Sequence, residues 1–169
     1  CINKSKKVSS ETMAKHKAEL DAKLKVNILS VEDAAYIAGF LDGEGSIALK
    51  KTHTYDKYRN TTYHLSVTIT NTFPGIMEWV ALKVGYGSVH KQKKYSTMNK
   101  DAWFWRINGR RAINFLKQVY PYLKIKKLQA DVAFEFGETI TPPGQVKLSE
   151  RVLDFRQELK AKMSALNKG

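Results

Sequence analysis

Asp42-Gly43-Glu44-Gly45 sets two acids among glycines, and these are the residues of the chain best suited to chemistry. By residue type alone such a run is a solvated turn, because glycine supplies positive φ and acids favour water. Its position argues for more. Ala35, Ala38, Gly39 and Asp42 recur at i, i+3, i+4 and i+7, which predicts a helix ending where the acids begin. Negative charge at a helix C-terminus is unfavourable, so a divalent cation there would offset the carboxylates and the exposed carbonyls together.

The elements that must position these acids are legible on both sides. Ser30 followed by Asp33 is a helix-start signal, and the spacing predicts a helix over Val31–Asp42. Its small face, Ala35, Ala38, Gly39 and Asp42, would let a second helix backbone approach closely, although small residues on a helix also serve ordinary core packing. Beyond Gly45 the period changes to two. Ile47 and Leu49 oppose Ser46, Ala48, Lys50 and Thr52; Tyr63, Leu65, Val67 and Ile69 oppose Thr62, His64, Ser66, Thr68 and Thr70. This predicts two antiparallel strands joined by the polar loop THTYDKYRN, with the polar set beside the acids. A helix starting near Pro74 and ending at Gly85 follows, with Ile76, Trp79, Val80 and Val84 as its stripe.

A second hairpin is predicted over 88–95 and 102–108, carrying His90, Gln92 and Arg106. Trp103, Trp105 and Ile107 alternate there with Phe104 and Arg106, and the pattern leaves open which set faces the core. Helices are expected from Gly109 to Tyr120, from Tyr122 to Gly137 with Ile125, Leu128, Val132 and Phe136 inward, and from about Ser149 to Leu166 after a Pro-Gly linker. The order α-β-β-α-β-β-α predicts an α+β domain: a four-stranded antiparallel sheet with helices on one face and the other face free and polar. Such a sheet can lie in the DNA major groove.

Ile37-Ala38-Gly39-Phe40-Leu41-Asp42-Gly43-Glu44-Gly45 resembles the LAGLIDADG motif of homing endonucleases and their maturase relatives, in the single-motif form. Pro121-Tyr122-Leu123-Lys124-Ile125-Lys126-Lys127-Leu128-Gln129-Ala130 is similar to the family's PYL-x-x-K-x-x-QA segment. The resemblance covers roughly residues 31–137. It implies the αββαββα fold with a saddle-shaped DNA-binding sheet. It also implies that Glu44 binds a catalytic metal, that the Gly43 carbonyl faces it, that Asn71 orders water, and that Lys126 reaches the site. Mg²⁺ is the cofactor so implied, with Ca²⁺ supporting binding without cleavage. One acid per chain is too few to hold cations against phosphate, so a homodimer is expected through Ala35, Ala38, Gly39 and Asp42. The DNA-facing set is then Ser46, Ala48, Lys50, Thr52, His64, Ser66, Thr68, Thr70, His90, Gln92 and Arg106. The expected activity is hydrolysis of a pseudo-palindromic duplex site with half-sites of roughly 10 bp, leaving short 3′ overhangs. The rival expectation is a non-cleaving intron RNA maturase or DNA-binding module on the same scaffold.

Composition agrees with a polyanionic partner. The 169 residues carry a formal charge of +13, which favours nucleic acid first and an anionic membrane surface second. No apolar run is long enough to cross a bilayer. The lone Cys1 excludes an intrachain disulfide and a cysteine-based zinc site. No secretory signal is expected, since the N-terminus lacks an apolar h-region. Residues 1–29 read as a basic extension outside the resemblance, with a short helix between Ser10 and Lys25 or a basic arm on the nucleic acid backbone. Residues 30–169 read as one domain, its core at about 31–137 and C-terminal helices at 138–169. The expected location is intracellular, with organelle introns as the common coding site of relatives.

Overall fold

Ser30 starts the first element as a side-chain cap, its hydroxyl accepting from the Asp33 N–H at 3.1 Å. In the computed structural model, which describes residues 24–53, 61–93, 100–140 and 148–168, helix α1 then runs Val31–Glu44. It ends two residues later than the sequence predicts. Gly43 and Glu44 stay helical, and the chain turns at Gly45, whose N–H bonds the Leu41 carbonyl. A Cβ at Gly45 would strike the Leu41 backbone and side chain, so the exit into the sheet requires glycine there.

Strands β1 (Gly45–His53) and β2 (Thr61–Asn71) pair antiparallel, with Gly45 opposite Ile69. Helix α2 (Pro74–Val84) ends at Gly85, in the left-handed region at φ 70°. Then come β3 (Ser88–Lys91) and β4 (Trp103–Asn108), giving one antiparallel sheet in the order β1-β2-β4-β3. The expected order of elements is the observed one. The open question of the second hairpin is answered by burial: Trp105 and Ile107 lie in the core, while Phe104 and Arg106 take the opposite face. Ile47, Leu49, Tyr63, Leu65, Val67 and Ile69 join that core from the sheet. Ile37, Ala38 and Leu41 of α1 and Met77, Val80 and Val84 of α2 meet them from the helical layer.

Helix α3 (Gly109–Val119) is followed by a 3-10 turn at Tyr120–Tyr122. Here the sequence reading is corrected. No helix starts at Tyr122: α4 spans Lys127–Glu138, and Leu123–Lys126 is a short non-helical segment. Ile125 and Leu128, expected inward, are 69% and 62% exposed, whereas Leu123 is buried. The cause is Asp42. Its carboxylate accepts from the N–H groups of Lys124, Ile125 and Lys126, so these donors are bound to α1 instead of entering a helix.

Helix α5 (Glu150–Leu166), capped by Ser149, buries Arg156, Leu159 and Met163. Asn167 beyond it donates to the Ile47 carbonyl at 2.9 Å. The loop at 54–60, residues 94–99, the linker from 141 to 147 and the N-terminal residues 1–23 lie outside the described residues, with the expectations made for them. Residues 24–29 are described. Asn27 bonds Val84, and Gln118 of α3 bridges the Leu29 N–H and the Asn27 carbonyl, so this piece lies along α2 and α3.

Candidate nucleic-acid interface and metal site

The two motif acids have different surroundings. Asp42 is 8% exposed and engaged by three backbone donors at 2.7–3.1 Å. Burial opposes its ionisation. The N–H groups of Lys124, Lys126 and Ile125, with the Lys126 charge, outweigh that and hold its pKa below the ordinary value. Glu44, on the last turn of α1, is exposed and has no ion pair among the described residues. Thus Asp42 is a structural clamp, and Glu44 is the carboxylate available to a ligand.

Two further residues converge on this end of α1. The Lys126 ammonium donates to the Asp42 carbonyl, a favourable place for a cation at a helix C-terminus. Asn71 ends β2 two residues past the Gly45–Ile69 pair, so the register sets it beside the exit of α1. Its Oδ1 accepts from the Phe73 N–H at 2.9 Å, which fixes the side chain and leaves its amide donors. Within the described residues no group of three or more His, Cys, Asp or Glu side chains could hold a metal. Glu44 offers hard oxygen, as Mg²⁺ and Ca²⁺ require, but one chain supplies too few such ligands.

The expected small face of α1 needs correction at two of its four positions. Ala38 is fully buried in the chain's own core and Asp42 is the clamp, so neither is open to a partner. Ala35, Gly39 and Gly43 are exposed and recur every fourth residue. A Cβ added at Gly39 or Gly43 would meet nothing within 4 Å. Both glycines are therefore unexplained by packing within one chain, and each costs about 0.8–1 kcal/mol of helix propensity relative to alanine.

The polar face of the sheet is laid out by register. Ser46, Thr68, Arg106 and Ser88 form one row; Ala48, Ser66 and Asn108 the next; then Lys50 with His64, and Thr52 with Thr62. On the side nearer Asn71 stand Thr70, Phe104 and His90. Gln92 lies just past β3, its N–H on the Ala102 carbonyl. Lys50, Thr52, His64, His90 and Gln92 are exposed. Ser66 is the exception: it is 3% exposed and its hydroxyl has no hydrogen-bond partner, so it is not open to a ligand. The DNA-facing set read from the sequence omits Phe104, although strand alternation places it on the same face as Arg106, which that set includes. Among the described residues no helix is long and apolar enough to cross a membrane.

Comparison with known proteins agrees with this geometry. The family model described as LAGLIDADG endonuclease matches residues 37–137. Among solved structures, the homing endonuclease I-CvuI in complex with its target in the presence of calcium is 22% identical with a TM-score of 0.68. The match covers 80% of this chain and 82% of that one. An archaeal intron-encoded homing endonuclease, I-Vdi141I complexed with DNA, is 19% identical with a TM-score of 0.64, covering 79% and 82%. A mutant of I-SmaMI is 17% identical with a TM-score of 0.63, covering 86% of this chain but 52% of that one. At these identities the likeness is one of fold. No curated protein matches the chain.

Proposed function

The chain belongs to the LAGLIDADG endonuclease family, and from that premise we propose that it is a site-specific double-strand DNA endonuclease acting as a homodimer with a divalent cation. One observation carries the reading: α1 presents the small stripe Ala35, Gly39 and Gly43 to open space and ends it on an unpaired acid, Glu44. Two such helices packed stripe to stripe would bring the two Glu44 carboxylates together. The two sheets then form one basic saddle, and self-complementary packing of identical chains gives the twofold symmetry a pseudo-palindromic site requires.

The residues divide the work. The Glu44 pair, with the Gly43 carbonyls, would hold the cation. When bound, such a cation would stabilise charge on the phosphoryl oxygens and lower the pKa of a bound water. Asn71, its Oδ1 committed to Phe73, orients water through its amide donors. Lys126, anchored on the Asp42 carbonyl, keeps ammonium donors for the phosphate. Magnesium suits cleavage and calcium suits binding without it, because calcium accepts looser oxygen geometry.

Glu44→Gln tests this reading. It keeps the side-chain shape and removes the charge that holds the cation. Binding to a selected site in Ca²⁺ should persist or tighten, since two carboxylates no longer face phosphate. Cutting in Mg²⁺ should fall by orders of magnitude. A variant that cuts at the parental rate would remove Glu44 from the metal. If the parent itself cuts none of the sites it binds, the chain is a binding module or maturase.

A further inference from the structure

We propose that Arg106 reads a guanine in the major groove, one in each half-site, and that Phe104 is the positioning residue that holds it for that contact. The proposal rests on the reading of the chain as a DNA endonuclease and goes beyond it by assigning a base. Arg106 stands on β4, an inner strand of the β1-β2-β4-β3 sheet, between Thr68 and Ser88. Contacts to base edges carry sequence information, whereas contacts to phosphates only position the protein.

The guanidinium is already fixed on two sides. Its Nε donates to Thr68 Oγ1 at 3.4 Å, and its Cζ lies 4.6 Å from the centroid of the Phe104 ring. Phe104 is itself braced by His90, ring to ring at 5.5 Å. A guanidinium held at Nε and stacked on a ring loses little further freedom on binding, and its outer fork of Nη donors is the part left to present. Among the described residues no carboxylate forms an ion pair with it. In the major groove guanine alone offers two adjacent acceptors, O6 and N7; adenine places a donor beside N7 and would oppose the fork.

Lys50 strengthens the case. Burial, and then the charge of Arg106, push its pKa down. Ser66, in the row between them, is buried and offers DNA nothing. Two like charges on one face of the sheet, Lys50 and Arg106, suit an acceptor-rich edge.

The test begins with the unaltered protein and a randomised duplex library, selected by binding in Ca²⁺. The recovered sites should carry one invariant guanine at the same place in each half. Replacing that guanine by 7-deazaguanine, which lacks the N7 acceptor, should weaken binding about 5- to 150-fold per half-site. Arg106→Gln should relax that column or turn it to adenine while the other columns and the salt dependence stay parental. Phe104→Leu should lower the preference for guanine with melting unchanged, and Phe104→Trp should restore it.

Each contrary outcome is separate. Selected sites without an invariant guanine, or parental affinity with 7-deazaguanine at every guanine in turn, overturn the assignment, and neither depends on a variant folding. A uniform loss across sequences for Arg106→Gln, with a shallower salt slope, would place Arg106 on a phosphate and overturn it too. Guanine preference untouched by Phe104→Leu removes the positioning role. Recovery of no DNA site at all defeats the endonuclease reading itself.

Discussion

Asp42 and Glu44 are two residues apart, yet one is spent on structure and the other is free for chemistry. The difference is environment. Asp42 faces the chain's own Lys124–Lys126 segment, and its carboxylate ties α1 to the approach of α4 through three N–H donors. Its folded pKa lies below the ordinary value of 3.8. A carboxyl depressed in the folded state stabilises the fold fully above its unfolded pKa, and loses that contribution as pH falls through the folded one. Asp42→Asn puts an amide donor against backbone donors and removes the charge, so it should cost about 1.5–3 kcal/mol at neutral pH. The gap in melting temperature between parent and variant should then narrow as pH drops below about 4. Thermal melts across a pH series read this directly, and a gap constant down the series would mean that ionisation of Asp42 contributes nothing.

At the scale of elements, α1 carries the argument, and Gly39 is where its two surfaces can be separated. The Cβ space at Gly39 is open within the chain, so Gly39→Leu should leave the monomer folded and even gain helix propensity, by up to about 1 kcal/mol. Between two packed helices the same side chain overpacks, at about 1–3 kcal/mol or more per copy. Sedimentation should therefore show a folded monomer that no longer dimerises or cuts; a persistent, fully active dimer would place the interface elsewhere. The sequence revealed α1 well because the capping signal, the small-residue spacing and the final acids agree. It also revealed β1 and β2, whose alternation is unbroken. It misplaced the start of α4, because Ile125 and Leu128 have helical spacing and nothing local shows that Asp42, more than eighty residues away, takes the donors of Lys124–Lys126. For the same reason the spacing groups Ala38 and Asp42 with Gly39: it defines a face, but only packing decides whether that face looks inward. Ser66 on the sheet repeats the lesson, since strand alternation gives a side chain's face and not its cover.

The whole molecule adds what one chain lacks. A charge of +13 and a carboxylate-poor sheet face supply attraction to DNA, and each phosphate neutralised should contribute a slope of about −0.9 to log K against log salt. Attraction does not cut, however, and each chain brings one unengaged acid to the end of α1. If both Glu44 carboxylates of a dimer are needed at the cleavage centre, activity depends on subunit pairing and not on the amount of intact chain. Parent and Glu44→Gln chains, unfolded together in equal amounts and refolded, should pair at random, so that about one quarter of the dimers retain both acids. Strand cleavage per dimer, single-strand nicks counted with double-strand breaks, should then fall to about that fraction, while DNA binding in Ca²⁺ stays near the parental level. Across a series of mixing ratios, activity should follow the square of the parental fraction. A straight-line decline would mean that each chain cuts with its own acid. In that case the two α1 helices could still pair for binding, but the shared metal centre would have no part in the reaction.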